Sequence, residues 1–435
     1  MISIEALALL LLGLNNGRWT TAGFIGQYFR VVEADMLKWS LTVTGFAIDM
    51  IAILGFIYLL IREYRGLSAA QRYRIIVFTA SLSLALAALF LGIGRYIYGS
   101  PYGTHDGAVQ SEVAGDMLRR GINPYQANFK GTEFTVFHQP HFGDKTNPVL
   151  DHYPYPPLIL IANTVLVTLA HLTHLPADSR LLTSAAMIWL LWYWLRQTPD
   201  AKTKTWIALL TVLNPLVTFY PLVGFNDILF VIPMLLSAAT AARGRWLASG
   251  VLMGLALAAK QTAWLALPLW LVWLWRQSSN SSHRMFWRPA AAALLVVTVF
   301  YLPFIIWNAG AMWDDLVRFV SGAIPSTFPI SGDSWWQFLV IFRYVPTPWV
   351  TNAAWPWELL AMAVAYPLGI WWLAKRATAV QWLTSSILVI TVVSLANRYF
   401  NENYISAIVT LIIGAVILNL RHPTNPPAEP VDRKQ

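Results

Sequence analysis

Acidic side chains mark one polar stretch of the chain as a place where chemistry could occur. Within residues 102–125, YGTHDGAVQSEVAGDMLRRGINPY, the carboxylates are Asp106, Glu112 and Asp116. A carboxylate can take a proton from a hydroxyl group and can offset positive charge that develops at a neighbouring carbon. The stretch lies between segments apolar enough to span a bilayer. The sequence therefore predicts chemistry at a membrane surface.

The same stretch also permits a structural interpretation. Its apolar residues share one face of a helix from residue 107 to about 120, and aspartate is a common N-cap, so Asp106 could serve only to begin this helix. Glu112 and Asp116 are four residues apart on one face, where like charges repel unless they are compensated. The pair Arg119–Arg120 can supply that compensation. We therefore interpret Glu112 and Asp116 as structural, and keep Glu112 as a candidate substrate contact.

Composition places the chain in the membrane. Of its 435 residues, 57% are hydrophobic and only 12% are charged, and the apolar runs are longer than a soluble core helix requires. The net charge of +9 comes from Lys and Arg in short loops beside these runs, which indicates cytoplasmic helix ends rather than nucleic-acid binding. The chain has no Cys, so it has neither disulfides nor thiol chemistry. The sequence predicts a polytopic all-α membrane protein.

The basic loops also predict which segments face outward. Loops 98–154, 308–356 and 397–404 share the outer side, together with two hairpin tips. One tip is Gly224 to Asp227, and the other carries Lys260. Because the legs of the second hairpin are too short to cross a full hydrocarbon core, Lys260 should lie below the outer surface.

The chain divides into a short apolar or interfacial segment, 1–38, a single transmembrane domain, 39–421, and a Pro-rich tail, 422–435, predicted to be disordered in the cytoplasm. We expect about 11 to 13 transmembrane or re-entrant helices. Runs 155–171 and 181–195 are short, and one of them is expected to lie in the interface.

Several further side chains could bind a substrate. An intramembrane Lys costs about 2.5 to 3.5 kcal/mol on insertion scales, which favours a functional or paired role for Lys260. Arg398 has Glu402 four residues on, so an ordinary ion pair and phosphate binding are equally open. Asn226 and Asp227 could hydrogen-bond sugar hydroxyls, although capping of the following helix is the better single interpretation.

Five segments together resemble a known superfamily. They are the acidic loop, the turn Gly121 to Tyr125 (GINPY), the segment Tyr153 to Leu158 (YPYPPL) and two later stretches, NPLVTFYPLVGFNDILFVIPMLL and RWLASGVLMGLALAAKQTAWLALP. The chain resembles the GT-C superfamily of integral-membrane glycosyltransferases over roughly residues 75–290. Its nearest group looks like the polyprenol-phosphate-mannose-dependent mannosyltransferases of glycosyltransferase family 87.

The resemblance implies a GT-C-like fold with large extracytoplasmic loops carrying interfacial helices, and an inverting transfer from a polyprenyl-phosphate sugar. It also implies that an acidic residue of the first outer loop is the general base, and Asp106 occupies that position. The leaving lipid phosphate needs cationic or amide donors. The candidate contacts to donor or acceptor are Lys260, Gln261, Asn226, Asp227, Arg398, Arg343, Glu112, Tyr153, Tyr155, Asn401 and Glu402.

The sequence thus predicts a glycosyltransferase that moves a sugar, mannose being the first choice, to a glycan, glycolipid or protein acceptor on the outer face of the plasma (inner) membrane. No cofactor is expected, because a donor that carries a monophosphate does not require a divalent metal ion in order to leave. Two alternatives stay open. One is a transporter or flippase of lipid-linked glycans, and the other is an oligosaccharide ligase or polymerase that uses a lipid-pyrophosphate donor.

Overall fold

The computed structural model describes residues 4–14, 34–99, 103–137, 147–198, 200–279, 284–325, 327–350 and 355–421. Within these ranges the chain is helical apart from loops and one parallel pair of two-residue strands. The helices are α1 (Ile4–Leu14), α2 (Ala34–Tyr64), α3 (Ala69–Tyr98), α4 (Asp106–Arg119), α5 (Pro157–Thr173), α6 (Arg180–Gln197), α7 (Ala201–Val212), α8 (Pro215–Leu222), α9 (Ile228–Ala241), α10 (Trp246–Ala259), α11 (Leu267–Ser279), α12 (Arg284–Trp313), α13 (Trp335–Ile341), α14 (Trp355–Ala374), α15 (Ala379–Ala396) and α16 (Glu402–Arg421).

Shorter elements connect some of these helices. A 3-10 helix, Gln261–Ala266, joins α10 to α11, and a π-helix, Asp314–Phe319, continues α12. The strands are β1 (Ser331–Gly332) and β2 (Tyr399–Phe400). They fasten the segment after the π-helix to the tip between α15 and α16.

The described helices confirm an all-α polytopic membrane protein. Five of them are long and apolar enough to span a membrane, and the bent pair α7–α8 would make a sixth span. The described residues also form shorter apolar helices of 10 to 17 residues, α9 and α10 among them. The five long spans are Ala69–Ile97, Met285–Phe319, Trp355–Ala374, Ala379–Ala396 and Glu402–Arg421. The predicted tail, 422–435, and most of segment 1–38 lie outside the described residues.

Small residues allow α10 to pack closely on α12. A Cβ added at Gly250 would lie 2.2 Å from the carbonyl oxygen of Pro289, and one added at Gly254 would lie 2.8 Å from that of Ala293. This Gly-x-x-x-Gly spacing lets two helix backbones approach, as it does in membrane helix pairs. Lys260 directly follows Ala259, the last residue of α10. The contact between α10 and α12 therefore also fixes the position of Lys260.

Two helices, α4 and α5, pack along each other beside the spanning helices. A Cβ at Gly115 would lie 2.8 Å from the backbone of Asn163, so this backbone approach requires glycine. At its far end α5 places His171 within 3.4 Å of Asp116. The run predicted as 155–171 thus forms α5, which packs along the predicted surface helix α4.

The start and the ion pairs of α4 differ in part from the sequence interpretation. The helix begins at Asp106, and its N-cap is His105, whose side chain accepts a hydrogen bond from the Gly107 amide. The N-cap role considered for Asp106 was therefore wrong. The compensation of Asp116 by Arg119 and Arg120 is confirmed, at 2.8 and 3.0 Å.

Candidate functional site

Loops that are far apart in sequence converge on one cavity of about 630 Å³. They follow α3, precede α5, follow α8 and α10, and connect α12 to α13 and α15 to α16. The predicted outer loops and both predicted hairpin tips therefore meet in space. The predicted site residues that line the cavity are Asp106, Tyr155, Asn226, Lys260, Gln261, Asn401 and Glu402.

Asp106 enters this cavity from the first turn of α4. Its Oδ1 accepts hydrogen bonds from the Gly107 amide at 2.7 Å and lies 2.9 Å from Nε2 of His105. The amide dipoles at a helix N-terminus stabilise a nearby negative charge. The structure thus holds the Asp106 carboxylate in a defined orientation at the cavity wall.

Tyr155 closes over this helix start. A Cβ added at Gly107 would lie 1.9 Å from the hydroxyl oxygen of Tyr155, so only glycine leaves room for the phenol. Burial, and then the neighbouring charge of Asp106, raises the pKa of Tyr155 well above its ordinary value. The phenol is therefore protonated at neutral pH. It can donate a hydrogen bond to a ligand in the cavity.

Lys260 enters the same cavity as part of a buried polar cluster. Its ammonium group donates to Asp227 Oδ1 at 2.5 Å and to Asn226 Oδ1 at 3.2 Å. Asn403, at the start of α16, donates to the other oxygen of Asp227 at 2.7 Å. The ammonium also lies 5.5 Å from the centre of the Tyr404 ring. A lysine ammonium has three donors, so these partners leave one for a ligand.

The same cluster corrects the interpretation of Asp227 as a helix cap. Asp227 does occupy the N-cap position of α9, but its side chain makes no capping hydrogen bond. A capping oxygen must bend back toward the helix amides. Here the carboxylate is directed instead to Lys260 and Asn403.

Gln261, Asn401 and Glu402 complete the polar lining. The Gln261 amide donates to the carbonyl oxygens of Pro154 and Leu316, at 2.8 and 3.3 Å, and so joins two walls of the cavity. Asn401 and Glu402 come from the tip between α15 and α16. Two carboxylates, Asp106 and Glu402, and one ammonium therefore contribute to the same cavity.

Two predicted contacts, Tyr153 and Glu112, support the cavity without lining it. Tyr153 is fully buried, its ring stacks on Phe129, and its amide donates to Asp315 at 2.9 Å. Glu112 is buried in an ion pair with Arg95. Its compensation therefore comes from α3 and not from the Arg119–Arg120 pair that the sequence suggested.

Arg95 and Glu112 belong to a wider charge network beneath the start of α4. Asp178 accepts from Arg95 at 2.9 Å and from Arg180 at 2.6 Å. Arg180 also donates to the carbonyl oxygen of Leu91 in α3 and to that of Gly103 in the loop that leads to Asp106. Burial alone would raise the pKa of Asp178, but the hydrogen bonds and charges of Arg180 and Arg95 outweigh it, so this pKa lies below its ordinary value.

The two arginines proposed from the sequence as phosphate ligands lie outside the cavity lining. Arg398 is fully buried, and its guanidinium donates to the carbonyl oxygens of Val350 and, at 3.1 Å, of Phe328. These bonds hold the α12–α13 and α13–α14 connections against the α15–α16 tip. Arg343 is exposed, with a left-handed backbone at φ 60°, beyond the end of α13. Neither arginine therefore shares the cavity with the other candidate contacts.

Sequence reasoning also missed residues that the structure brings to the site. His105 and Asn403 hold Asp106 and Asp227, while Trp349 and Tyr404 add aromatic surface to the cavity. His105 could have been found as the only titratable neighbour of Asp106 along the chain. Nothing local in the sequence marks Asn403 or Trp349, because their partners are distant in the chain. Within the described residues, no group of three His, Asp or Glu side chains is placed to hold a metal ion.

Comparisons with known proteins give two matches. Residues 108–277 match the family model described as "Alpha-(1->6)-mannopyranosyltransferase, N-terminal domain". The chain is also 26% identical over 293 residues to "Alpha-(1->6)-mannopyranosyltransferase A" of Mycobacterium tuberculosis (strain ATCC 25618 / H37Rv). That alignment covers 65% of this chain and 54% of the relative, so the chain spans about half the length of the curated relative it matches. No solved structure matches the chain.

These matches support the resemblance to GT-C mannosyltransferases. The matched segment includes most of α4, the 226–227 tip and Lys260, which are the parts that build one side of the cavity. It begins just after Asp106. The match therefore does not include Asp106, whose place among the candidate site residues rests on the geometry of the cavity.

Proposed function

We propose that the protein is an inverting membrane glycosyltransferase that moves a mannosyl group from a polyprenyl-phosphate donor to a hydroxyl group of an acceptor. The single observation that carries the proposal is the shared cavity, which holds the carboxylate of Asp106 together with the ammonium of Lys260. This transfer needs a carboxylate that takes the proton of the acceptor hydroxyl group, and a hydrogen-bond donor that binds the leaving phosphate. The similarity to a mannosyltransferase supports the choice of sugar.

The proposed step is a direct displacement at the anomeric carbon. The acceptor oxygen forms the new bond to this carbon while Asp106 takes the hydroxyl proton. The bond from the anomeric carbon to the phosphate oxygen breaks, and its electron pair leaves with the polyprenyl phosphate. Positive charge develops on the sugar ring in between, and a carboxylate within the cavity lowers the cost of that charge.

The leaving phosphate is proposed to meet the remaining donor of Lys260. Since Asp227 already offsets the lysine charge, this ammonium would bind an anion less strongly than an unpaired one, but it is held in a fixed position. Tyr155 and the side-chain amides of Asn226 and Asn401 can supply neutral hydrogen bonds to the sugar. Glu402 is proposed to orient the acceptor.

The cavity is proposed to open on the outer face of the plasma membrane. The basic residues lie at the opposite ends of the helices and in the short loops there, including Arg62 in the last turn of α2, Arg72 in the first turn of α3, and Arg243 and Arg245 between α9 and α10. Such residues mark cytoplasmic loops. An outward cavity would place the donor head group where its sugar is accessible to envelope glycans.

Reconstitution of the purified protein into liposomes tests this function. With a synthetic polyprenyl-phosphate mannose and a mannoside acceptor, we expect mannosylated acceptor and free polyprenyl phosphate in equal amounts, both measured by mass spectrometry. Matched liposomes with Asp106→Asn protein provide the control. Movement of an intact lipid-linked glycan across the bilayer without release of polyprenyl phosphate would instead establish a transporter. Turnover only with a lipid-pyrophosphate donor would establish a ligase or polymerase.

A further inference from the structure

His105 is fixed from several sides at the start of α4. Its backbone amide donates to the carbonyl oxygen of Val223 at 2.7 Å, which ties it to the end of α8. Its ring packs against Phe225, with ring centres 3.7 Å apart. The imidazole therefore has a defined position at the cavity wall.

The contacts of the ring define its tautomer. Nδ1 accepts a hydrogen bond from the Gly107 amide at 3.1 Å, so this nitrogen carries no proton. In the neutral ring the proton then lies on Nε2, which is 2.9 Å from Asp106 Oδ1, within donating distance of it. The helix amide thus selects the tautomer that can hold the carboxylate. In metal sites, a hydrogen bond at one ring nitrogen fixes the role of the other in the same way.

We propose that His105 is a positioning residue for Asp106: it caps α4 through Nδ1 and orients the reacting carboxylate through Nε2–H. This inference rests on the proposed function. His105 neither gives nor takes the proton of the acceptor, and Asp106 remains the group that receives it. A base displaced by about 1 Å from its productive position can lose about 100-fold in rate, so the orientation matters to turnover.

His105→Asn separates the two roles of the ring. Asparagine is a good N-cap, but its short side chain cannot cap the helix and also donate to Asp106. We expect kcat to fall by about 10- to 100-fold while the donor KM stays within about twofold, because the phosphate contacts are untouched. The thermal unfolding temperature should stay close to that of the original protein. A kcat within twofold of the original would overturn the inference.

Chemical rescue of His105→Ala provides a second test that does not depend on comparing two folds. Added imidazole can accept from the Gly107 amide and donate to Asp106, whereas 1-methylimidazole can only accept. We expect imidazole to raise the kcat of His105→Ala at least tenfold, and 1-methylimidazole to leave it unchanged. Equal effects of the two compounds, or no rescue by imidazole, would reduce His105 to a helix cap.

His174→Asn is the matched control. His174 is exposed at the end of α5 in a left-handed conformation, φ 55°, which asparagine accepts well. Its kinetics should be unchanged. The outcomes also separate this inference from the proposed function. If the original protein transfers no mannose, the function fails. If it does transfer mannose and Asp106→Asn is inactive while His105→Asn is normal, only the role of His105 fails.

Discussion

The ammonium of Lys260 lies 2.5 Å from the carboxylate of Asp227, and both groups are buried at the edge of the cavity. The cation that the sequence assigned to the lipid phosphate is therefore already paired. Asn403 fixes the pair from α16. The pairing with Asp227 offsets the free-energy cost of burying the lysine charge. It also makes Lys260 a directed hydrogen-bond donor more than a source of net charge.

Lys260→Met should weaken use of the donor and also destabilise the fold. The change removes the phosphate donor and leaves Asp227 buried without its cation, a loss that costs about 3 to 5 kcal/mol for buried pairs. We expect the donor KM to rise at least about tenfold, the scale of one lost charge-assisted bond. Kinetics with varied donor concentration and thermal unfolding in detergent measure the two effects.

The double variant Lys260→Met, Asp227→Asn separates the two effects. It removes the unpaired charge, so most of the lost stability should return, while the donor KM should stay high. Recovery of a normal KM in the double variant would show that Lys260 serves only to neutralise Asp227.

Replacement of Arg398 should lower the stability of the fold, whereas replacement of Arg343 should have no effect. Two phosphate ligands would instead both raise the donor KM when replaced. Arg398→Met removes buried guanidinium bonds to two backbone carbonyls, so we expect a loss of about 2 to 4 kcal/mol in unfolding free energy. Limited proteolysis should then cut the 320–350 connection more readily. Arg343→Asn removes an exposed side chain at a backbone position that asparagine tolerates. It should change neither stability nor donor KM.

A lower donor affinity in Arg398→Met at unchanged unfolding temperature would contradict this assignment. So would any marked rise of the donor KM in Arg343→Asn. Measurement of both variants against the original protein, at the same detergent concentration, distinguishes a structural arginine from a ligand.

Residue type and membrane topology were enough to predict part of the site. Lys260 was identified because an intramembrane lysine is costly, and Asp106 because the resemblance to GT-C enzymes implies an acidic base in the first outer loop. The basic loops predicted which tips would face outward. Arg398 satisfies the same rule, but its role depends on the carbonyl oxygens of Phe328 and Val350, which no local pattern reveals. Lys260 and Arg398 thus gave the same signal in the sequence, and contacts with distant segments decide which of them reaches the cavity.

Asp178 predicts a pH dependence of stability. Its pKa in the folded protein lies below the ordinary value, because Arg180 and Arg95 more than offset the effect of burial. The ionised carboxylate thus stabilises the fold at pH values above its pKa in the unfolded chain, about 3.9. This stability is lost as the pH falls through the lower pKa of the folded state.

Asp178→Asn should therefore destabilise the protein at pH 7 by about 1.5 to 3 kcal/mol, the scale of hydrogen bonds to charged groups. The difference from the original protein should shrink as the pH falls below about 4. Thermal unfolding at pH 7, 5, 4 and 3 measures it. A difference that stays constant over this range would show that the ion pairs with Arg95 and Arg180 contribute no stability.

Asp106→Asn is the sharpest test of the chemistry. Since His105 caps α4, the replacement leaves the helix start in place, and asparagine keeps the size of the side chain while losing its basicity. We expect transfer to fall by about 100-fold or more, with donor binding and unfolding temperature nearly unchanged. Asp116→Asn on the same helix is the matched control, because its ion-pair partners among the described residues are the surface groups of Arg119, Arg120 and His171, and it does not line the cavity. It should transfer at the original rate. Near-normal transfer by Asp106→Asn would show that Asp106 is not the base. Glu402, which also lines the cavity with a carboxylate, would then be the next residue to replace.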